Sequence, residues 1–190
     1  MEKKIDRRIR KTKQQLQEGF IQLRKTKSIK DITVKELCEL TDLNRGTFYL
    51  HYKDIYDLSE KMENEIILKF EEALNSSPIN DINSPQNMLC EIFKIIKENA
   101  AFCTCLLSNT GDMVFFNKLK IIIRDTCFKH WTELFSKPKK VETFDYFFNF
   151  MLYGCIGIIE SWLNNGLKES PEEMAQLTSK VILNGITVLH

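Results

Sequence analysis

Glycine and proline are scarce in this chain, with 7 and 4 among 190 residues, and nowhere do apolar and polar residues alternate with the period of two that a half-buried strand needs. Strands and hairpins are thereby excluded as the main building material. Histidine is rarer still, at His51, His130 and His190 alone. The sequence lacks a Gly-rich phosphate loop, a nucleophile elbow and a His-Glu-x-x-His segment. Those absences argue against an enzyme, and neither a cofactor nor a metal is expected. No stretch reads as an uninterrupted apolar membrane span, and the first residues carry no apolar signal core. The expected setting is therefore cytoplasmic, with no membrane partner. The six cysteines, Cys38, Cys90, Cys103, Cys105, Cys127 and Cys155, fall mostly within apolar helical patterns and read as free core thiols.

What is present is an uneven distribution of charge. The net charge is only +1, yet residues 1–53 hold fourteen Lys and Arg against seven Asp and Glu, while residues 54–190 hold thirteen against nineteen. A head of +7 thus precedes a body of −6. A basic head is what a polyanion-binding module needs, because Lys and Arg contacts to phosphate supply most sequence-independent DNA affinity. A 43% hydrophobic share with 13 Phe shows that the rest of the chain can bury itself.

Apolar residues recur at helical spacing throughout. Ile9, Leu16, Phe20 and Leu23 mark a first helix, and Val34, Leu37 and Leu40 a short second. A third short segment runs from Asn44 to Leu50. A long fourth helix begins near Asp54, a good N-cap, and runs through Leu58, Met62, Ile66, Phe70 and Leu74. Ser84-Pro85 opens another, carrying Leu89, Ile92, Phe93 and Ile96. After the turn cluster at 109–112 a long helix reaches toward Pro138, the next covers 141–165, and Ser170-Pro171-Glu172-Glu173 starts the last. The expected fold class is all-α: an N-terminal three-helix reader over 1–54 and a helical regulatory body over 55–190.

Residues 33–52 carry the functional signal. Thr33 with Glu36 forms a capping box for one short helix, and Asn44 caps a second. Only Thr41, Asp42 and Leu43 lie between them, a connection short enough for the steep angle of a helix-turn-helix unit. Asp42 tolerates a left-handed turn conformation. The second short helix displays Arg45, Thr47, Tyr49 and His51. Arg can read guanine in a major groove, and the hydroxyls can hold phosphate oxygens. Gly46 permits close helix packing or backbone approach to DNA. Arg7, Arg8, Arg10, Lys11 and Lys13 add a basic approach along the first helix.

Thr33, Val34, Leu37, Gly46, Thr47, Phe48, Tyr49, His51, Tyr52 and Leu58, in this order and spacing, resemble the reader of the TetR family, and the resemblance covers about residues 10–70. It implies that Thr33, Thr47, Tyr49 and His51 contact phosphates and that Asn44, Arg45 and Leu50 lie nearest the bases of double-stranded DNA. Two positions depart from the family's pattern. Asp42 stands where a turn glycine is frequent, and Ile55 stands where a phosphate-binding lysine usually opens the fourth helix, with Lys53 adjacent as its substitute.

In the body, Gly154 and Gly157 interrupt an apolar helix, and glycine there lowers helix stability unless another backbone must come close. Together with Ile158 and Ser161, and with Leu177, Val181, Gly185 and Val188 on the last helix, they form the expected self-pairing surface of a homodimer, packing within one chain being the other reading. The stretch around Gly154 to Leu167 with Ser170-Pro171-Glu172-Glu173 is similar to a TetR subgroup containing a dihydroxyacetone-kinase activator. A ligand cavity is expected, with His130, Trp131, Tyr153 and Glu160 as polar handles. The trigger is either a small-molecule effector or a protein co-regulator. The competing function is a helical sensor or adaptor that acts through a protein partner with little DNA affinity, a reading that Ile55 favours.

Overall fold

The computed structural model describes residues 2–75, 84–107, 113–134 and 141–184. Among these residues all regular structure is helical: α1 (Glu2–Arg24), a short 3-10 turn (Ile29–Asp31), α2 (Val34–Thr41), α3 (Arg45–Tyr49), α4 (Ile55–Asn75), α5 (Ser84–Glu98), α6 (Ala100–Leu107), α7 (Met113–Leu134), α8 (Val141–Asn164) and α9 (Pro171–Asn184). The chain divides into two compact units between Glu65 and Ile66, inside α4.

In the first unit the buried side chains are Leu16 and Phe20 from α1, Leu37 and Cys38 from α2, Phe48 from α3, Tyr52, and Ile55, Leu58 and Met62 from α4. The i, i+3/i+4 spacing of these residues gives each helix one inward stripe. Two apolar residues of the expected stripes point outward instead, since Ile9 is 40% and Leu40 43% exposed. Leu40 lies at the margin of its stripe, whereas Ile9 is in line with Leu16 but two turns earlier, before the packed part of α1 begins. The N-caps are those the sequence implies, but only one half of the Thr33–Glu36 capping box forms among the described residues. Thr33 Oγ1 accepts from Glu36 N at 3.2 Å, and Asn44 Oδ1 accepts from Gly46 N at 2.7 Å. The Glu36 carboxylate engages the Lys27 ammonium. At the start of α4, Asp54 Oδ1 accepts from Asp57 N at 2.8 Å while Asp57 Oδ2 accepts from Lys53 N at 2.9 Å, a reciprocal cap.

The second unit has its own core, in which α5 packs along α9. Phe93 and Trp162 meet edge to face at 5.3 Å, and the Trp162 indole N–H donates to Glu169 O at 3.2 Å, tying the α8–α9 connection to the core. That connection turns through Gly166 and Leu167 in left-handed conformations, φ +78° and +55°. Ser170 and Glu173 then make both halves of a capping box, at 2.7 and 3.2 Å. The sequence pattern places a helix from Ser84 through Ile96 and no separate element between Ile96 and the 109–112 turn; the chain breaks at Asn99 and a further helix, α6, follows. Asn99 Nδ2 donates to Ile95 O at 2.7 Å and its own carbonyl accepts from Cys103 N, so one asparagine closes α5 and opens α6.

One further expectation needs correction. Asp145–Asn164 of α8 is long and apolar enough to cross a membrane, with mean hydropathy 1.2 over its most apolar window. Its two acidic residues, Asp145 and Glu160, lie toward its ends.

Helices α1 and α2 come close together at Gly19. A Cβ built there would lie 2.4 Å from Thr41 Cγ2 and 3.0 Å from Leu37 Cδ1. Gly19→Ala should therefore destabilise the protein by about 1–3 kcal/mol through overpacking. A lowered denaturation midpoint in guanidinium, with an unchanged m-value, checks it.

Candidate nucleic-acid interface

Helix α3 has only five residues. It is held from below by Phe48, fully buried, whose ring meets Tyr52 at 5.7 Å and Tyr49 at 5.4 Å. Asp42, at φ 52° and ψ 40°, closes α2 in the left-handed region and redirects the chain into α3. The cost of that conformation is lower for Asp than for a bulkier residue, as the sequence reading required.

With the inner face anchored, the other side chains of this stretch point to solvent. Asn44, Arg45, Gly46, Lys53 and Thr33 are exposed, Tyr49 is 58% and Leu50 80% exposed, and Thr47 and His51 are half-buried. An outward leucine at 80% has no role in the fold. The space above Gly46 is open, since a Cβ there would meet only Asn44 Oδ1 at 3.3 Å. Arg45 makes no ion pair among the described residues. All nine residues singled out for DNA thus lie on one short segment and face outward or partly so.

Ile55 is 4% exposed and belongs to the core. Its apolar character is explained by packing, and the start of α4 carries other cations. Lys53 is exposed, and Lys61, which the sequence reading passed over, donates from Nζ to His51 O at 3.0 Å, pairs with Asp57 at 2.9 Å and lies 5.2 Å over the Tyr52 ring. Lys61 sits two turns into α4, so only its return to the reader, invisible in the sequence, marks it. The Tyr52 hydroxyl is pushed up to about 12, by burial first and then by Glu65 and Asp57, and stays protonated. Asp57 is held below the usual carboxylate range, chiefly by its hydrogen bond from Lys61.

The second unit contains a cavity of about 180 Å³ lined by α4, α5, α7, α8 and α9. Its walls are hydrocarbon except for Cys155, Lys120 and Thr178. Tyr153 and Glu160 are not among the lining residues: Tyr153 is 62% exposed and Glu160 half-buried. On a helix whose inner face carries Leu152, Cys155, Ile156 and Ile159 into the cavity wall, positions 153 and 160 fall on other faces. His130 and Trp131 lie on α7, with side chains outside the described set. Lys120 and Thr178 were missed because each is a single polar residue within an apolar run, which no local pattern distinguishes from a surface residue. Burial holds the Cys103 thiol up at about 12 and the Cys155 thiol up at about 11, so both remain protonated and unreactive at neutral pH.

Gly154, Gly157 and Ser161 of α8 are exposed, as are Leu177 and Val181 of α9, while Ile158 is half-buried. A Cβ at Gly154 or Gly157 would meet nothing within 4 Å. Packing within one chain therefore does not account for either glycine. Gly185 and Val188 lie outside the described residues.

A capped two-helix unit with an outward-facing short helix, joined to a helical unit with an apolar cavity, defines a helix-turn-helix transcriptional regulator. A family model described as the C-terminal region of transcriptional regulators of the TetR type matches residues 83–184, and the chain belongs to the TetR family of transcriptional regulators. That family is one of transcriptional regulators. The chain is 23% identical over 166 residues, 85% of its length, to the uncharacterised helix-turn-helix-type regulator YxbF of Bacillus subtilis strain 168, and this match spans 42% of that relative. Among solved structures, the dihydroxyacetone kinase operon activator DhaS superposes with a TM-score of 0.61 at 16% identity, covering 93% of this chain and 97% of that one. The regulator FadR of Bacillus subtilis, solved with stearoyl-CoA, superposes with a TM-score of 0.65 at 14% identity, covering 91% and 98%. These likenesses agree with the all-α fold expected from the sequence.

Burial lowers the pKa of His51 below 6.5, with Lys13 and Lys61 adding to the effect. A histidine depressed on folding binds fewer protons folded than unfolded, so its contribution to stability is lost as the pH falls through the unfolded value of about 6.5. An NMR titration should show the imidazole of the free protein neutral at pH ~7. His51→Gln should flatten the pH dependence of stability between about pH 7 and 5.

Proposed function

We propose that this chain binds a near-palindromic operator in double-stranded DNA as a cytoplasmic homodimer, with an effector in the body modulating the affinity. The reader is the segment 1–54 and its motif 33–52. Each protomer lays α3 in a major groove, the two sites about 34–36 Å apart. Arg45, Asn44 and Leu50 face the bases; Thr33, Thr47, Tyr49, His51 and Lys53 hold phosphates, and Gly46 allows the backbone to come close. The observation that carries this reading is the division of α3 itself, with Phe48 fully buried and Arg45, Tyr49 and Leu50 in solvent. With Ile55 a core residue, the partner-only adaptor loses its support.

The homodimer reading rests on α8 and α9. Tyr146, Phe150, Tyr153, Gly157 and Ser161 recur at i, i+4, i+7, i+11 and i+15, so they share one helix face, and Tyr146 is 78% and Phe150 77% exposed. Monomers rarely leave so continuous an apolar stripe in water. A second copy packed along it, with Gly154, Gly157 and Ile158 allowing close approach and Leu177, Val181, Gly185 and Val188 extending the contact, gives a four-helix bundle. The other face of α8 lines the cavity, so the helix has two different apolar duties, neither of which requires lipid.

Selection of genomic fragments on the purified protein at graded salt tests the reader and should return a palindromic site. Arg45→Ala should cost about 1–3 kcal/mol and relax specificity at one position, whereas Lys53→Ala should weaken all sequences alike and reduce the salt slope by about 1. Sequence-indifferent retention by the native chain would overturn the reading. For the dimer, sedimentation of Phe150→Glu and of Gly157→Glu should show monomers of unchanged helicity. Their operator affinity should fall by about a hundredfold or more as bivalent binding is lost. A native chain that sediments as a monomer on operator would sink this part.

A further inference from the structure

The outward side of α3 is not evenly furnished. Successive residues of a helix are turned by about 100°, so residues two apart lie nearly opposite each other and residues four apart nearly in line. Phe48 points into the core. The line furthest from it therefore passes through Gly46 and Leu50. Leu50 continues the helix as its C-cap, with φ −69° and ψ −21°, and its N–H donates to Gly46 O at 3.2 Å, so the two positions stack along the axis. Leu50 is 80% exposed, the most exposed large apolar side chain among the described residues. Beyond its own helix and chain neighbours, a Cβ at position 46 would have only Asn44 Oδ1 within 4 Å, at 3.3 Å. An isobutyl group thus stands at the crest of the reader, with the helix backbone left bare beside it.

A lone exposed leucine is ordinary on a protein surface. The company it keeps distinguishes this one. The same short segment exposes Asn44, Arg45 and Lys53, and residues 1–53 together carry +7. A polyanion fits that charge, whereas an apolar protein surface drawn to the leucine would strip water from the cations without pairing them. In a major groove the base edges present donors and acceptors with one apolar exception, the C5 methyl of thymine. Leucine offers neither a donor nor an acceptor. Set against adenine N6 or cytosine N4, it would desolvate an amino group and return no hydrogen bond, a cost that disfavours those bases. Set against thymine, it gains the burial of a methyl group.

We propose that Leu50 is a specificity residue of the reader: its isobutyl group packs on the C5 methyl of one thymine in each operator half-site. Gly46 lets the backbone of α3 come down far enough for that contact. The assignment rests on the reading of α3 as the helix that enters the groove. Recognition is then divided between two chemistries, hydrogen bonding from Arg45 and Asn44 and apolar contact from Leu50.

The test uses the full chain and an operator recovered by genomic selection. Each thymine of the half-site is replaced in turn by deoxyuridine, which lacks the methyl and keeps the pairing. At one position the replacement should weaken binding by about fourfold, the transfer of one methyl group, and by about fifteenfold when both half-sites carry it. At that position a 5-methylcytosine·guanine pair should bind tighter than a cytosine·guanine pair by a similar factor, because the methyl returns with different hydrogen-bonding groups. Leu50→Ala should bind the thymine and deoxyuridine operators equally, and Leu50→Met should keep the preference. Both variants should melt with the native chain, since the side chain is in solvent. Three results overturn the proposal. One is that no thymine replacement weakens binding by about twofold or more; the others are a methyl preference undiminished in Leu50→Ala, and 5-methylcytosine indistinguishable from cytosine. If the native chain selects a defined operator and gives any of these, only the leucine assignment falls; if selection returns no defined operator, the regulator reading falls with it.

Discussion

A helix of five residues does not stand by itself in water, where isolated helices shorter than about 12–15 residues are marginal even with favourable composition. Helix α3 exists because Phe48 is driven fully into the first unit's core, because Asn44 satisfies an orphan amide at its start, and because Asp42 accepts the left-handed geometry that turns the chain into it. Truncating a buried phenylalanine costs about 3–5 kcal/mol, comparable with the total stability of a small domain. The outward surface of α3 is thus a by-product of the packing beneath it. Its placement is set by Leu37, Phe20 and Leu58 as much as by any residue that faces solvent.

The two short helices and their connection were legible in the sequence because their signals are local. Caps at Thr33 and Asn44, a three-residue connection and apolar residues three or four apart all act within one or two turns, so they can be read without knowing the tertiary fold. Phe48 and Tyr52 point inward and Tyr49 outward. The break at Asn99 escaped because it uses neither Gly nor Pro. It depends on an asparagine side chain closing one helix while its backbone opens the next. The cavity was the least legible feature. Its walls come from five helices, and which face of α7, α8 or α9 turns inward is decided by packing between elements distant in sequence. Tyr153 and Glu160 were chosen for their chemistry, and helical rotation placed both off the cavity wall.

Helix α8 shows how composition alone misleads in either direction. Its segment Asp145–Asn164 is long and apolar enough to cross a membrane and is mostly unburied within the chain, but its apolar residues split between two faces. Leu152, Cys155, Ile156 and Ile159 line the cavity, while Tyr146, Phe150 and Tyr153 stand in solvent with two glycines between or beside them. A lipid environment asks for apolar character all round; a helix with one neighbour inside its chain and one outside asks for two stripes separated by polar positions such as Asn149 and Glu160. The second description fits the residues.

Because Phe48 alone of α3 points into the core, the scaffold and the outward alphabet of the reader are carried by different positions of the same short helix. Exposed sites such as Arg45, Tyr49 and Leu50 can be exchanged for roughly ±0.5 kcal/mol of stability. Descendants of this chain could accordingly acquire new target preferences by drift at those few codons, with no intermediate that fails to fold.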